Sequence, residues 1–174
     1  MSIALHTKEL AIFSIDHFTF GVETNQIQEI LTVKLSDFPG KTDPALPFRV
    51  LQYRQQSLPV FDLRRRFCLT PLAVEVLQQD FPSSLITFYA AGLLAACSVT
   101  SVEDMITVSS HSLKSVPAVL TKIAYKNHVW GFYEISGNLL PLIDLERIIS
   151  PQDIDLYTAF LSGLEAESGL KRRF

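Results

Sequence analysis

The chain carries an internal repeat, and this feature narrows the possible folds more than any other. Leu58-Pro59-Val60-Phe61-Asp62-Leu63-Arg64-Arg65 returns as Leu140-Pro141-Leu142-Ile143-Asp144-Leu145-Glu146-Arg147, an offset of 82 (140 against 58). Leu, Pro, Asp, Leu and Arg match identically. Earlier in each half, Ile27-Gln28-Glu29-Ile30-Leu31-Thr32-Val33 answers to Val102-Glu103-Asp104-Met105-Ile106-Thr107-Val108, an offset of 75 (102 against 27). The same offset sets Leu10 and Phe13 against Leu85 and Phe88. Passing from one offset to the other needs a single change of loop length, which costs little because closure entropy grows only with the logarithm of length. Two unrelated strands that happen to begin with Leu-Pro would not explain two matches in the same order.

Nine prolines and seven glycines punctuate short segments rich in Val, Ile, Phe and Thr, so strands are expected rather than long helices. Leu10 to Ile15, Asp16-His17 and Phe18 to Val22 read as a hairpin. Val50 to Tyr53, Gln55-Gln56 and Leu58 to Leu63 read as a second, and Trp130 to Ile135, Ser136-Gly137-Asn138 and Leu139 to Leu145 as a third. The repeat predicts one five-stranded meander built twice, giving two small β-barrels packed side by side. One spans about residues 8–70 and the other about 82–150, with room for a final strand to be exchanged between the halves. Neither copy has enough sequence for a large core, so each buries a face against the other and leaves a groove along the junction. Pro59 and Pro141 begin strands, where the missing N–H is harmless, and Asp62 and Asp144 are expected to cap the turns that follow.

Two segments lie outside the repeat. Thr70 to Gln79 suits a short helix, with Thr70 as its cap and Pro71 in the first turn. Ser150-Pro151-Gln152-Asp153 opens a helix within 151–174 whose Ile154, Tyr157, Leu161 and Leu164 share one face. That face is expected to dock on its own barrel, with partner binding as the competing reading.

With 15 basic and 18 acidic residues the net charge is −3, which supplies no positive field for a nucleic acid partner. Cys68 and Cys97 share no metal or redox spacing and fit a reducing cytosol. Charges at Lys8 and Glu9 interrupt the amino terminus before it reaches signal-peptide length. The strongly apolar run Tyr89 to Cys97 is about half of what a membrane span needs. A cytoplasmic protein without direct membrane insertion is expected. No catalytic constellation stands out: His6, His17, His111 and His128 are isolated, and Ser110-His111-Ser112, read as strand, points its hydroxyls and imidazole to opposite faces. There is no glycine-rich phosphate loop and no Gly-x-Ser-x-Gly elbow. Trp130, next to Gly131, is expected in the core.

Val50-Leu51-Gln52-Tyr53-Arg54-Gln55-Gln56-Ser57-Leu58-Pro59-Val60-Phe61-Asp62-Leu63-Arg64-Arg65-Arg66-Phe67 resembles the signature of the CheW family, a strand and turn around an arginine followed by apolar-Pro-apolar-apolar-Asp-Leu-Arg and Arg-Phe. Phe20-Gly21-Val22-Glu23 with Ile27-Gln28-Glu29-Ile30 resembles its second strand and turn. Trp130-Gly131-Phe132 with Leu140 to Asp144 resembles its closing hairpin. The resemblance covers roughly residues 8–150. It implies two SH3-like five-stranded barrels, no cofactor and no reaction, in an adaptor that couples the cytoplasmic tip of a chemoreceptor (a methyl-accepting chemotaxis protein) to a CheA-type histidine kinase within membrane receptor arrays. A CheW-like regulator in a gliding, twitching or phototaxis pathway is the neighbouring alternative, and a β-barrel enzyme using dispersed residues such as His111, Asp144 and Cys97 is the alternative from another class.

By the same resemblance, receptor and kinase contact falls to Arg54 and, near it, to Gln52, Tyr53, Ile27, Ile30 and Arg64. Each has a plainer reading: Arg54 as a solvated turn residue, Ile27 and Ile30 as core, and Arg64-Arg65-Arg66 as a solvated face. Arg54 answers to Ser136 in the second copy, so the repeat itself does not call for a charge there. The sequence departs from the family where Arg49 and Gln55 replace glycine and Gln52-Tyr53 replaces Asn-Leu. A tight hairpin turn favours residues at ease with positive φ, so Gln55 predicts a longer or strained turn.

Overall fold

The computed structural model describes residues 6–38, 45–69, 83–122 and 128–171. The first half gives β1 (Thr7–Ile15), β2 (Phe18–Glu23), β3 (Glu29–Val33), β4 (Phe48–Tyr53), β5 (Gln56–Asp62) and a one-turn helix α1 (Leu63–Arg66). The second gives β6 (Ser83–Ala90), β7 (Leu93–Val99), β8 (Ser101–Ser109), β9 (Leu113–Ser115), β10 (Val129–Ile135), β11 (Asn138–Ile143) and a terminal helix α2 (Pro151–Lys171). The mainly β class is as expected. The helix read over Thr70 to Gln79 lies outside the described residues.

Three of the hairpins turn on residue pairs with both members at positive φ: Arg54 and Gln55 (47° and 64°), Ala91 and Gly92 (49° and 80°), and Ser136 and Gly137 (50° and 82°). The right-handed twist of the flanking strands favours this in a two-residue connection. The β4–β5 turn is therefore neither longer nor placed at Gln55-Gln56; Gln56 is already paired with Tyr53 as β5 begins. It is strained, because both residues adopt the left-handed region without being glycine.

The strands form two sheets, ordered β8-β1-β2-β11-β10-β9 and β3-β6-β7-β5-β4. Neither sheet belongs to one half of the chain. The β1–β2 hairpin joins the second half's strands, and β6–β7 joins the first half's, so the chain segments 8–70 and 82–150 are not the two hydrogen-bonded units. The exchange anticipated for a final strand involves the first hairpin of each half. Each half leaves an open slot between its third and last strands, β3 and β5 in the first and β8 and β11 in the second, and the other half's hairpin pairs on both sides of that slot.

The repeat survives in register. Leu31 opposite Leu85 in one sheet corresponds to Ile106 opposite Leu10 in the other. The parallel contacts Val60–Ala96 and Phe61–Cys97 correspond to Leu142–Gly21 and Ile143–Val22. Asp62 is the last residue of β5 and Asp144 the first after β11, and their Oδ1 atoms accept N–H bonds from Arg64 (2.9 Å) and Glu146 (3.1 Å), the capping read from the sequence.

Each sheet encloses a small interior, Leu51, Leu58, Val60 and Leu85 in one and Leu10, Val108, Leu140 and Leu142 in the other. The largest core lies between them, where Phe13, Phe20 and Val22 of one sheet meet Phe61, Ile86 and Phe88 of the other. Full burial of a side chain such as Phe13 or Phe88 stabilises by about 1.5–3 kcal/mol. A half-exposed ion pair contributes about 1 kcal/mol or less, so the sheets are held by apolar contact rather than by charge. Cys97 belongs to this core, and burial pushes its thiol up to about 12, as befits an unreactive small apolar residue.

α2 docks as the sequence predicted, on the β4–β5 side. Ile154, Tyr157, Phe160 and Leu161 pack on the shared core, whereas Leu164 is exposed. Phe48 meets Tyr157 and Phe160 edge-on at 5.5 and 6.1 Å, and the Tyr157 hydroxyl donates to the Ser57 carbonyl. At the base of the helix, buried Asp153 accepts from the Ser150 N–H (2.7 Å), the Ser150 hydroxyl (2.6 Å) and Arg66 (2.8 Å). Trp130 sits in a bulge and is half-buried, with Lys8 Nζ 5.3 Å from its ring centre.

Candidate functional site

The strain in the β4–β5 turn fixes where Arg54 points. Its Cζ lies 4.9 Å from the ring centre of Tyr53, and Nη2 donates to Glu29 Oε2 at 2.9 Å. The Tyr53 hydroxyl donates to the same oxygen. This bond is the main reason the phenol holds its proton above its ordinary range, since ionisation would set an anion against a carboxylate. β3 and β4 are the two ends of one sheet, so Glu29, Tyr53 and Arg54 close that sheet into a barrel at its rim. The Arg54 side chain remains 72% exposed while Glu29 is 38% exposed.

The second barrel lacks this clasp. Glu29, Tyr53 and Arg54 correspond to Asp104, Ile135 and Ser136, and the Asp104 carboxylate accepts instead from the N–H of Met105 at 2.7 Å. Glu29 was missed in the sequence, although it carried a signal. It shares the inward face of β3 with Leu31 and Val33, and a carboxylate on that side of a strand needs a partner.

Gln52 is exposed and donates to Ser57 Oγ at 3.1 Å. Ile30 is half-buried on the outer side of β3, opposite Ile86, and its repeat counterpart Met105 is 60% exposed. Ile27 follows a 3-10 turn and packs partly against the shared core. Arg64 is engaged within the molecule: its guanidinium lies 3.3 Å from Asp16 and 3.4 Å from Asp62, joining the β1–β2 turn to the start of α1. Arg66 pairs with Asp153, and Arg65 is exposed. The three arginines therefore face separate tasks and do not converge on a phosphate site.

The structure thus joins Arg54 and Tyr53 to Glu29 at the β3–β4 rim, sets Gln52 and Ile30 next to them along β4 and β3, packs Ile27 against the shared core, and gives Arg64 other partners. His111 lies in a 3-10 turn capped by Ser109, not in a strand as read from the sequence. Among the described residues no group of three or more His, Cys, Asp or Glu is arranged to hold a metal ion. Among the same residues no helix is long and apolar enough to cross a membrane.

The CheW-like domain family profile matches residues 9–153. Among solved structures the chain resembles the scaffolding protein TtCheW from Thermoanaerobacter tengcongensis, at 20% identity over 85% of this chain and 96% of that one, with a TM-score of 0.67. At that identity the likeness speaks for the fold. No curated protein matches the chain.

Proposed function

We propose that this chain, which belongs to the CheW-like domain family, is a non-catalytic adaptor holding a CheA-type histidine kinase against the cytoplasmic tip of a chemoreceptor. The observation that carries the reading is the Arg54 rim. A guanidinium 72% open to solvent is oriented by Glu29 and Tyr53 at a strained turn, and its counterpart in the other barrel is only a serine. Backbone strain of this kind costs roughly 1–2 kcal/mol per residue and persists where the surroundings over-determine it. Arginine so presented offers a planar fork to carboxylates and a flat face to aromatic rings on a partner.

In this reading Tyr53, Gln52 and Ile30 widen the contact around Arg54, and Ile27 shapes its base. Arg64 acts from behind by fixing the β1–β2 turn to α1. The adaptor works through rigid surfaces, recruited to receptor arrays from the cytoplasm, and the large core between the sheets supplies the rigidity. The test is an affinity pull-down from the native cell with the wild-type chain and with Arg54→Ala, followed by mass spectrometry. A histidine kinase and a chemoreceptor retained by the first and depleted from the second support the proposal. Equal retention by both removes the rim from the contact, and capture of neither partner removes the adaptor reading.

A further inference from the structure

The internal two-fold relates a covered face to an open one. α2 lies on the outer side of the β4–β5 hairpin, with Tyr157 and Phe160 against Phe48 and the Tyr157 hydroxyl on the Ser57 carbonyl. Strand register carries that face onto the second barrel. The cross-strand pairs Phe48–Phe61, Val50–Pro59 and Gln52–Ser57 become Val129–Ile143, Phe132–Pro141 and Glu134–Leu139. Among the described residues the one α-helix longer than a single turn, α2, sits on the first face. On the second, Leu139 is 58% exposed where its counterpart is the half-buried Ser57. Phe132 is half-buried, as is Pro141, whose counterpart Pro59 is buried. Glu134, directly across from Leu139, pairs with Lys114, which lies across from Phe132, so this ion pair sits on the same face beside the apolar residues.

We propose that the outer face of the β10–β11 hairpin docks an amphipathic helix of a partner protein, in the way the β4–β5 hairpin docks α2. Leu139 is the second residue of β11, beside the Ser136-Gly137 turn, with Phe132 and Pro141 next to it on the same face, and the related face shows what such a surface accepts: a helix with aliphatic and aromatic residues spaced three and four apart. The occupant comes from another protein rather than from a second copy. α2 is held in place by Asp153 on Arg66 and by four residues on the shared core, so lending it to a neighbour would strip Phe48 and Tyr157 of their cover. This inference stands apart from the kinase and receptor reading, and its test uses neither.

The probe is a synthetic peptide of residues 150–171, the chain's own helix sequence, titrated into isotopically labelled full-length protein and followed by NMR. Saturable shifts clustered at Phe132, Tyr133, Leu139 and Leu140 are expected. Leu139→Glu is expected to weaken binding at least tenfold while leaving thermal unfolding in place, because Leu139 is exposed. Absence of saturable shifts overturns the proposal. So do shifts confined to Phe48 and Ser57, which mean that the peptide only competes with the resident helix, undiminished binding to Leu139→Glu, or a concentration-dependent dimer formed through this face without peptide.

Discussion

Replacing Arg54 with alanine separates a partner surface from a structural one. The ion pair with Glu29 joins groups 72% and 38% exposed, so its loss costs less than about 1 kcal/mol. The stacking on Tyr53 at an exposed site adds about 0.5–1 kcal/mol at most. The barrel stays closed, because the Tyr53 hydroxyl continues to donate to Glu29. Alanine keeps a Cβ at positive φ, so the strain of the turn is unchanged. A net loss of about 1 kcal/mol lowers the melting temperature of a chain this size by roughly 2–4 °C. An arginine at the centre of an interface contributes about 2 kcal/mol or more, which is roughly thirtyfold in affinity. Titration calorimetry against the cognate kinase and receptor fragments, beside differential scanning calorimetry of the free protein, reads both quantities. Unchanged affinity for both partners, or a fall in melting temperature well beyond about 4 °C, would refute the reasoning.

Four further outcomes are expected. Gln55→Gly relieves the left-handed strain at φ 64° and, after the added freedom of the unfolded chain, stabilises by about 0.5 kcal/mol, measured by urea unfolding; destabilisation would mean the side chain is needed. Asp153→Ala leaves Arg66 and the Ser150 N–H without their acceptor and costs about 2–4 kcal/mol, with early proteolysis in α2; a loss under about 1 kcal/mol would contradict the described docking. Burial is the first cause holding the His128 imidazole below its ordinary pKa, with Arg66 and Arg147 adding to it and Asp144 and Asp153 opposing. The neutral form therefore favours the folded state above about pH 6.5, and stability falls as pH drops below that, a fall that His128→Asn, tolerant of φ 61°, is expected to flatten. The purified chain is expected to show no turnover and to bind neither nucleotide nor metal in calorimetry, and stoichiometric binding of either would overturn the non-catalytic reading.

The duplication was legible because its marks are local. Leu58-Pro59 with Asp62 and Leu140-Pro141 with Asp144 each specify a strand start and a capped end within five residues. Which strands would pair was not legible, because β1 meets β8 nearly a hundred residues away and the repeat is equally consistent with each hairpin staying in its own half. The β4–β5 turn falls one residue earlier than the sequence suggests, because neither Arg54 nor Gln55 advertises positive φ, whereas Gly92 and Gly137 do. Helix spacing located Ile154, Tyr157 and Leu161 on the docked face, but it included Leu164, which runs past the barrel, and omitted Phe160, which Phe48 draws in. At the rim, the sequence supplied Arg54 and Tyr53. It did not supply Glu29, whose role depends on the two ends of a sheet meeting.

The central claim is that this chain joins two proteins and changes the output of one. Receptor-bearing membranes, the cognate CheA-type kinase and the purified chain can be mixed singly, in pairs and all together, with kinase autophosphorylation and co-sedimentation read in parallel. The account predicts that kinase reaches the membrane pellet, and its autophosphorylation changes, only when the chain is present with both partners, and that Arg54→Ala blunts both effects. Kinase that pellets and signals identically with and without the chain would contradict it.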